Sequence, residues 1–123
     1  MDYNEADDIL RKLNVLEIIE YEIESRGLRK PIRKDNEIID VYLKFICNEI
    51  YRLKKIIEQQ EDEISINKFS LNTMRRTDKE LANLKRNIER KEEHIEKINK
   101  DISQLQNVWN YYNTLPRINE IMN

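Results

Sequence analysis

The sequence predicts an all-α protein, and three observations support this prediction. Only one of the 123 residues is Gly and two are Pro, so few positions oblige a helix to end. Charged residues make up 37% of the chain and the mean hydropathy is −0.83, a composition typical of long helices and coiled coils. From Ile39 onward, apolar residues recur at alternating spacings of three and four, which is the heptad pattern of a coiled coil.

The first predicted element is a short N-terminal helix over residues 4–25, within a segment that we take as residues 1–27. Asn4 is the expected N-cap, and the acidic residues of the first turn favour the positive end of the helix dipole. The apolar face is broad, which is typical of a helix with more than one neighbour. Gly27 is expected to end the helix, because glycine adopts the left-handed C′ conformation at no steric cost.

Residues 28–35 are predicted to form a basic connector. Pro31 disfavours helical geometry at the residue before it, and Asp35 or Asn36 is the expected cap of the next helix. This cationic stretch is a candidate contact for an acidic protein surface or for phosphate groups. The alternative is a solvated loop that pairs with the acids of the first helix. The cations are Arg26, Arg29, Lys30, Arg33 and Lys34.

Residues 36–113 are predicted as one long coiled-coil helix whose heptad register shifts near residues 74–81. A stripe this narrow cannot bury itself on a lone helix, so it predicts a companion helix, and the core residues favour self-association as a dimer. Residues 114–123 are then a C-terminal tail. The expected oligomerisation seam consists of Ile39, Leu43, Ile46, Ile50, Leu53, Ile57, Ile64, Leu71, Met74, Leu81, Leu84, Ile88, Ile95, Ile98, Ile102 and Leu105.

The register shift has two interpretations. It equals a three-residue insertion, a stammer, which a continuous rod absorbs by local overwinding. Alternatively, Thr77-Asp-Lys-Glu80 has the form of a capping box, and a break near residues 72–77 would give a helical hairpin or a three-helix bundle. We favour the rod, because the segment contains neither Gly nor Pro.

The sequence predicts no catalytic or metal site. Cys47 and His94 are the one available nucleophile–base pair, and about 70 Å would separate them on a continuous helix. A single cysteine permits no intrachain disulfide and no cysteine zinc site, and one glycine leaves no phosphate-binding glycine loop. We therefore expect no enzyme activity, no cofactor, no metal and no small-molecule substrate.

An aromatic cluster near the end of the long helix comprises Trp109, Tyr111 and Tyr112. It has two interpretations: terminal core packing, or a partner contact, since Trp and Tyr contribute much of the energy of interfaces. Together with the cations of the connector it forms the candidate partner patch. The net charge of −2 gives no general attraction to nucleic acid, so other helical proteins are the expected partners.

No apolar run reaches the roughly 18–20 residues that a membrane span needs, and the acidic N-terminus is the reverse of a secretory signal. We therefore expect no membrane span and a cytoplasmic location.

The order of the N-terminal parts resembles a known family. The segment Tyr21–Leu28, the connector with Pro31 and the segment Ile38–Ile46, which leads into a charged coiled coil, are similar to the N-terminal region of the afadin- and α-actinin-binding protein family. The start of the centriolar cartwheel-associated coiled-coil proteins is similar as well. The resemblance implies a non-catalytic scaffold at centrosomes, microtubule-anchoring sites or the cytoskeleton.

The expected function is accordingly a coiled-coil scaffold or adaptor that self-associates and binds partner proteins. Two alternatives stay open: a compact helical subunit of a hetero-complex or a small viral or phage structural or host-interacting protein, and a helical protein that binds nucleic acid through the basic connector.

Overall fold

The computed structural model describes residues 1–28, 36–73 and 77–116. Over these residues the chain forms helices and no strand, so the predicted all-α class is confirmed. The helices are α1 (Tyr3–Lys12), α2 (Leu16–Ser25), α3 (Asn36–Thr73) and α4 (Asp78–Thr114).

The expected single helix over residues 4–25 is wrong, because the chain turns between α1 and α2. Asn14 adopts a left-handed conformation with φ 62°. Its N–H donates to the Arg11 carbonyl at 3.2 Å, and the N–H of Val15 donates to the Leu10 carbonyl at 2.9 Å. This is a Schellman motif, in which asparagine takes the C′ position that glycine usually holds.

The caps of this segment differ from the prediction at one end and agree with it at the other. Asp2, and not Asn4, is the N-cap, since its carboxylate accepts the Glu5 N–H at 2.8 Å. Gly27 has φ 70° and follows the C-cap of α2, as predicted. The N–H of Leu28 donates to the Ile23 carbonyl at 3.0 Å and completes a second Schellman motif.

The predicted continuous helix over residues 36–113 is also wrong, because α3 ends at Thr73 and α4 begins at Asp78. The alternative, a break near residues 72–77, is the arrangement observed. Thr77 caps α4: its side-chain oxygen accepts the Glu80 N–H at 3.2 Å, and its carbonyl accepts the Leu81 N–H at 3.0 Å. The Thr77 side chain thus satisfies the Glu80 N–H, one of the groups that a new helix leaves without partners.

The chain divides into two compact units, and α3 and α4 contribute to both. The first unit comprises Met1–Tyr51 and Asp101–Asn123. Side chains from all four helices are fully buried in its core. Among them are Leu10, Ile19, Ile39, Tyr42, Ile46, Leu105, Val108 and Tyr112.

The second unit comprises Arg52–Lys100 and contains the end of α3 and the start of α4. These two segments are antiparallel neighbours, because only residues 74–77 separate the helices and Glu63 of α3 pairs with Lys91 of α4 at 2.8 Å. Ile64, Ile88 and Ile98 are buried in this unit. Most other apolar positions are half-buried, as expected where a helix has a single neighbour.

Candidate interaction surfaces

The residues of the predicted oligomerisation seam are largely buried by helices of the same chain. Met74 lies outside the described residues, and of the other fifteen none is exposed. Seven are buried, namely Ile39, Ile46, Ile64, Ile88, Ile98, Ile102 and Leu105. Eight are half-buried, namely Leu43, Ile50, Leu53, Ile57, Leu71, Leu81, Leu84 and Ile95. In each unit the companion helix that the seam requires comes from the same chain, and association between chains through this seam stays a prediction.

Two ion pairs join α3 and α4 in the second unit. Lys91 lies 2.8 Å from the Glu63 carboxylate, and both side chains are half-buried. Lys68 and Glu92 form a more exposed pair at 3.5 Å. Each pair of this kind contributes about 0–1 kcal/mol to the free energy of unfolding. The main effect of such pairs is to fix which residues of the two helices face each other.

A tyrosine cluster occupies the core of the first unit. The rings of Tyr42 and Tyr112 lie 4.5 Å apart between centroids, and both side chains are fully buried. Tyr3 flanks Tyr112 at 6.2 Å and Tyr111 at 5.9 Å. The Tyr112 hydroxyl donates a hydrogen bond of 2.9 Å to the carboxylate of Asp7. Because Tyr112 is fully buried, it is a core residue, and its assignment to the partner patch is corrected.

Burial raises the pKa of both Tyr42 and Tyr112, and the negative charge of Asp7 acts in the same direction. Burial also raises the pKa of Tyr111, where the nearby Tyr3 and the acids of α1 add to the effect. The Tyr112 hydroxyl is the donor to Asp7 in this cluster. This network could not be predicted from the sequence, because Asp7 and Tyr112 are 105 positions apart.

Trp109 and Tyr111, the remaining residues of the aromatic part of the patch, are both half-buried. Trp109 lines an open groove. The groove has a volume of about 100 Å³ and a largely apolar lining. Its other lining residues are Cys47, Ile50, Gln106 and Asn110. The thiol of Cys47 is free and exposed, so it does not take part in the core.

Of the basic part of the patch, only Arg26 belongs to the described residues. Its guanidinium pairs with Glu22 at 2.8 Å, one turn earlier on α2. The other four cations, Arg29, Lys30, Arg33 and Lys34, lie outside the described residues.

Two pairs of large apolar side chains are exposed at helical spacing, and neither pair belongs to the predicted seam or to the predicted partner patch. On α2, Ile18 and Tyr21 are 49% and 72% exposed. On α3, Ile66 and Phe69 are 65% and 69% exposed. Residues three apart are neighbours on a helix surface, so each pair forms a continuous apolar spot. The sequence does contain one sign that the α3 pair is exposed, since Ile66 and Phe69 both fall outside the heptad seam.

Across the described residues, no group of three or more His, Cys, Asp or Glu side chains is arranged to hold a metal ion. Cys47 and His94 are both exposed and belong to different units. No helix in the described part of the chain is both long enough and apolar enough to cross a membrane.

Comparison of the chain with protein-family models, with curated proteins and with solved structures found no match in any of the three.

Proposed function

We propose that this protein is a non-catalytic helical adaptor or scaffold that binds other helical proteins, with self-association as one case. The observation that supports this proposal is the exposure of the two apolar pairs, Ile18–Tyr21 and Ile66–Phe69. Single exposed apolar residues are common on soluble proteins, but adjacent large side chains that include an aromatic ring are typical of contact surfaces.

The spacing of each pair matches the way in which one helix recognises another. Helix-mediated recognition uses apolar contacts at positions i, i+3, i+4 and i+7, and each pair supplies the first two of these positions. The pairs belong to different compact units. A protein with a separate contact surface in each of two units is suited to joining partners, which is the task of an adaptor.

The experiment is affinity purification of the tagged full-length protein from its own cells, with quantification of co-purifying proteins. Two double variants, Ile18→Ser with Tyr21→Ser and Ile66→Ser with Phe69→Ser, remove one apolar pair each. We expect each to lose a distinct set of partners and to keep the helical content of the parent protein. An exposed polar change on α4, Arg86→Ser, is the control. Identical partners in all four samples would contradict the proposal.

The cellular setting is a narrower proposal, and its support is the resemblance of about residues 18–105 to the centrosomal scaffold families. Here the expected result is co-localisation of the tagged protein with a centrosomal or microtubule marker. A uniform distribution in interphase and in mitosis would remove this setting and leave the adaptor role in place.

A further inference from the structure

One face of α3 in the second unit combines exposed acidic and exposed apolar side chains. We call it the acidic–apolar face, and it consists of Glu58, Glu61, Asp62, Ile66 and Phe69. The three acids are exposed, and Ile66 and Phe69 are 65% and 69% exposed. All five lie in a helix that is continuous from Asn36 to Thr73.

Helical geometry places most of this face on the side of α3 away from α4. Glu61, three residues before the buried Ile64, lies at the border of the face, next to the seam. At 3.6 residues per turn, residues 58, 62 and 69 align within about 40° of one another. Ile66 follows Asp62 by one turn. Ile64, which is buried in the seam, is two residues before Ile66 and therefore points to the other side of the helix. The face is thus separate from the contact that pairs α3 with α4.

The charge of the face is negative. Residues 58–63 include four acids and no base, and of these acids Glu63 is paired with Lys91. Lys54 and Lys55, each about one turn before Glu58, add two positive charges to the strip, which leaves an excess of one negative charge beside the apolar pair. Lys68 contributes little there, since it pairs with Glu92 of α4. The three exposed acids next to the apolar pair favour cationic over anionic groups in a partner.

We propose that the acidic–apolar face binds a basic amphipathic helix of another protein. This inference rests on the proposed function and names the class of partner for one of the two apolar pairs. Apolar side chains of the partner helix cover Ile66 and Phe69, and Lys or Arg residues one to two turns along it meet Asp62 and Glu58. The cations supply specificity and a faster encounter, while the covered apolar area supplies most of the affinity.

A second copy of this chain fits the face less well. Two exposed side chains provide far less than the roughly 800 Å² per partner that a stable dimer buries. Two copies of a face with the same negative charge also repel each other. A short helix bound at the same spot requires less area, and we expect its affinity to be roughly micromolar, within the range of transient complexes.

The test uses full-length protein and two synthetic helical peptides of about 20 residues, or roughly 30 Å. Both carry leucines at i, i+3, i+4 and i+7; the flanking positions are lysine in one peptide and glutamate in the other. Fluorescence anisotropy of the labelled peptides gives Kd at low and at physiological ionic strength. We expect the lysine peptide to bind at least about tenfold more tightly than the glutamate peptide, and the difference to shrink as salt is added.

Variants of the acidic–apolar face separate the contribution of its apolar side chains to binding from that of its acids. Ile66→Ser with Phe69→Ser should weaken binding of the lysine peptide by at least about tenfold. Glu58→Lys with Glu61→Lys and Asp62→Lys should reverse the preference, so that the glutamate peptide binds more tightly. Arg86→Ser, at an exposed residue of α4 outside both apolar pairs, is the control and should leave both affinities unchanged. Circular dichroism verifies that each variant keeps its helices.

Three results would overturn the inference: equal binding of the two peptides, undiminished binding to the variant without Ile66 and Phe69, or self-association that sedimentation shows to depend on Phe69. These failures differ from failure of the proposed function. If the peptides bind equally but cellular partners are still lost with Phe69, then the partner chemistry is wrong and the adaptor role stands. If neither double variant loses any partner in cells, the adaptor role itself fails.

Discussion

The hydrogen bond from Tyr112 to Asp7 provides a sharp test of the core of the first unit. Tyr112→Phe removes the hydroxyl and keeps the ring that packs against Tyr42 at 4.5 Å. Hydrogen bonds to charged groups contribute about 1.5–3 kcal/mol. Because Asp7 is only half-buried and water can replace part of the lost contact, we expect a loss of about 1.5 kcal/mol, near the lower end of this range.

The assay is a double-mutant cycle that combines Tyr112→Phe with Asp7→Ala, measured by urea unfolding at neutral pH. If the two side chains interact as the 2.9 Å distance indicates, the coupling free energy is about 1–2 kcal/mol. Tyr21→Phe, at a side chain 72% exposed, is the control and should change stability by less than about 0.5 kcal/mol. A coupling free energy indistinguishable from zero would refute the assigned contact.

Three further predictions concern stability. Because burial raises the pKa of Tyr42 and Tyr112 above 10.0, their ordinary value, the unfolded chain loses these protons before the folded chain does. The free energy of unfolding should therefore be unaffected by these two tyrosines below about pH 10 and should fall above that pH. Urea unfolding measured across this pH range checks the prediction, and replacing both tyrosines by Phe should flatten the decline. Asn14→Ala should cost about 1 kcal/mol because φ is 62°, whereas Asn14→Gly should be neutral or stabilising; equal effects in urea unfolding would contradict the Schellman motif. Ile64→Ala should cost about 2–4 kcal/mol in the same assay, and the exposed Ile66→Ala less than about 0.5 kcal/mol; similar losses would mean that the two faces of α3 are misassigned.

The positions of the seam could be predicted from the sequence, since the heptad period alone fixes which side of a helix is apolar. Every seam residue that the structure describes is buried or half-buried. The identity of the companion helix could not be predicted in the same way. A stripe such as Ile57 and Ile64 makes the same apolar contacts whether the facing helix comes from the same chain or from another.

The ends of the helices were predictable only where a strong local signal exists. Gly27 and the capping box at Thr77 were both recognised, although the second was given less weight than the absence of Gly and Pro. The turn at Asn14 was missed, because asparagine adopts a left-handed conformation much less often than glycine and is also found within helices. The cap at Asn14 is defined by the hydrogen bonds that Asn14 and Val15 donate back to α1. No local sequence pattern predicted these bonds.

The candidate surfaces were the least predictable part. The contact between Asp7 and Tyr112 joins residues 105 positions apart, and a single sequence carries no information on such a pairing. The exposure of Ile66 and Phe69 also depends on which side of α3 receives α4. Once the seam is assigned, however, apolar residues that lie outside it become visible as candidates for contacts with partners.

The most direct test of the account is the distance between α3 and α4 in the second unit. Spin labels at Asp62→Cys and Arg90→Cys, with Cys47→Ser, allow this distance to be measured by double electron–electron resonance, after dilution with unlabelled protein to suppress contacts between chains. Helices paired within one chain place their axes about 8–10 Å apart, so we expect a label distance of about 20 Å that dilution leaves unchanged. A distance of about 42 Å, the span of 28 residues along one helix, or a short distance that disappears on dilution, would contradict the account.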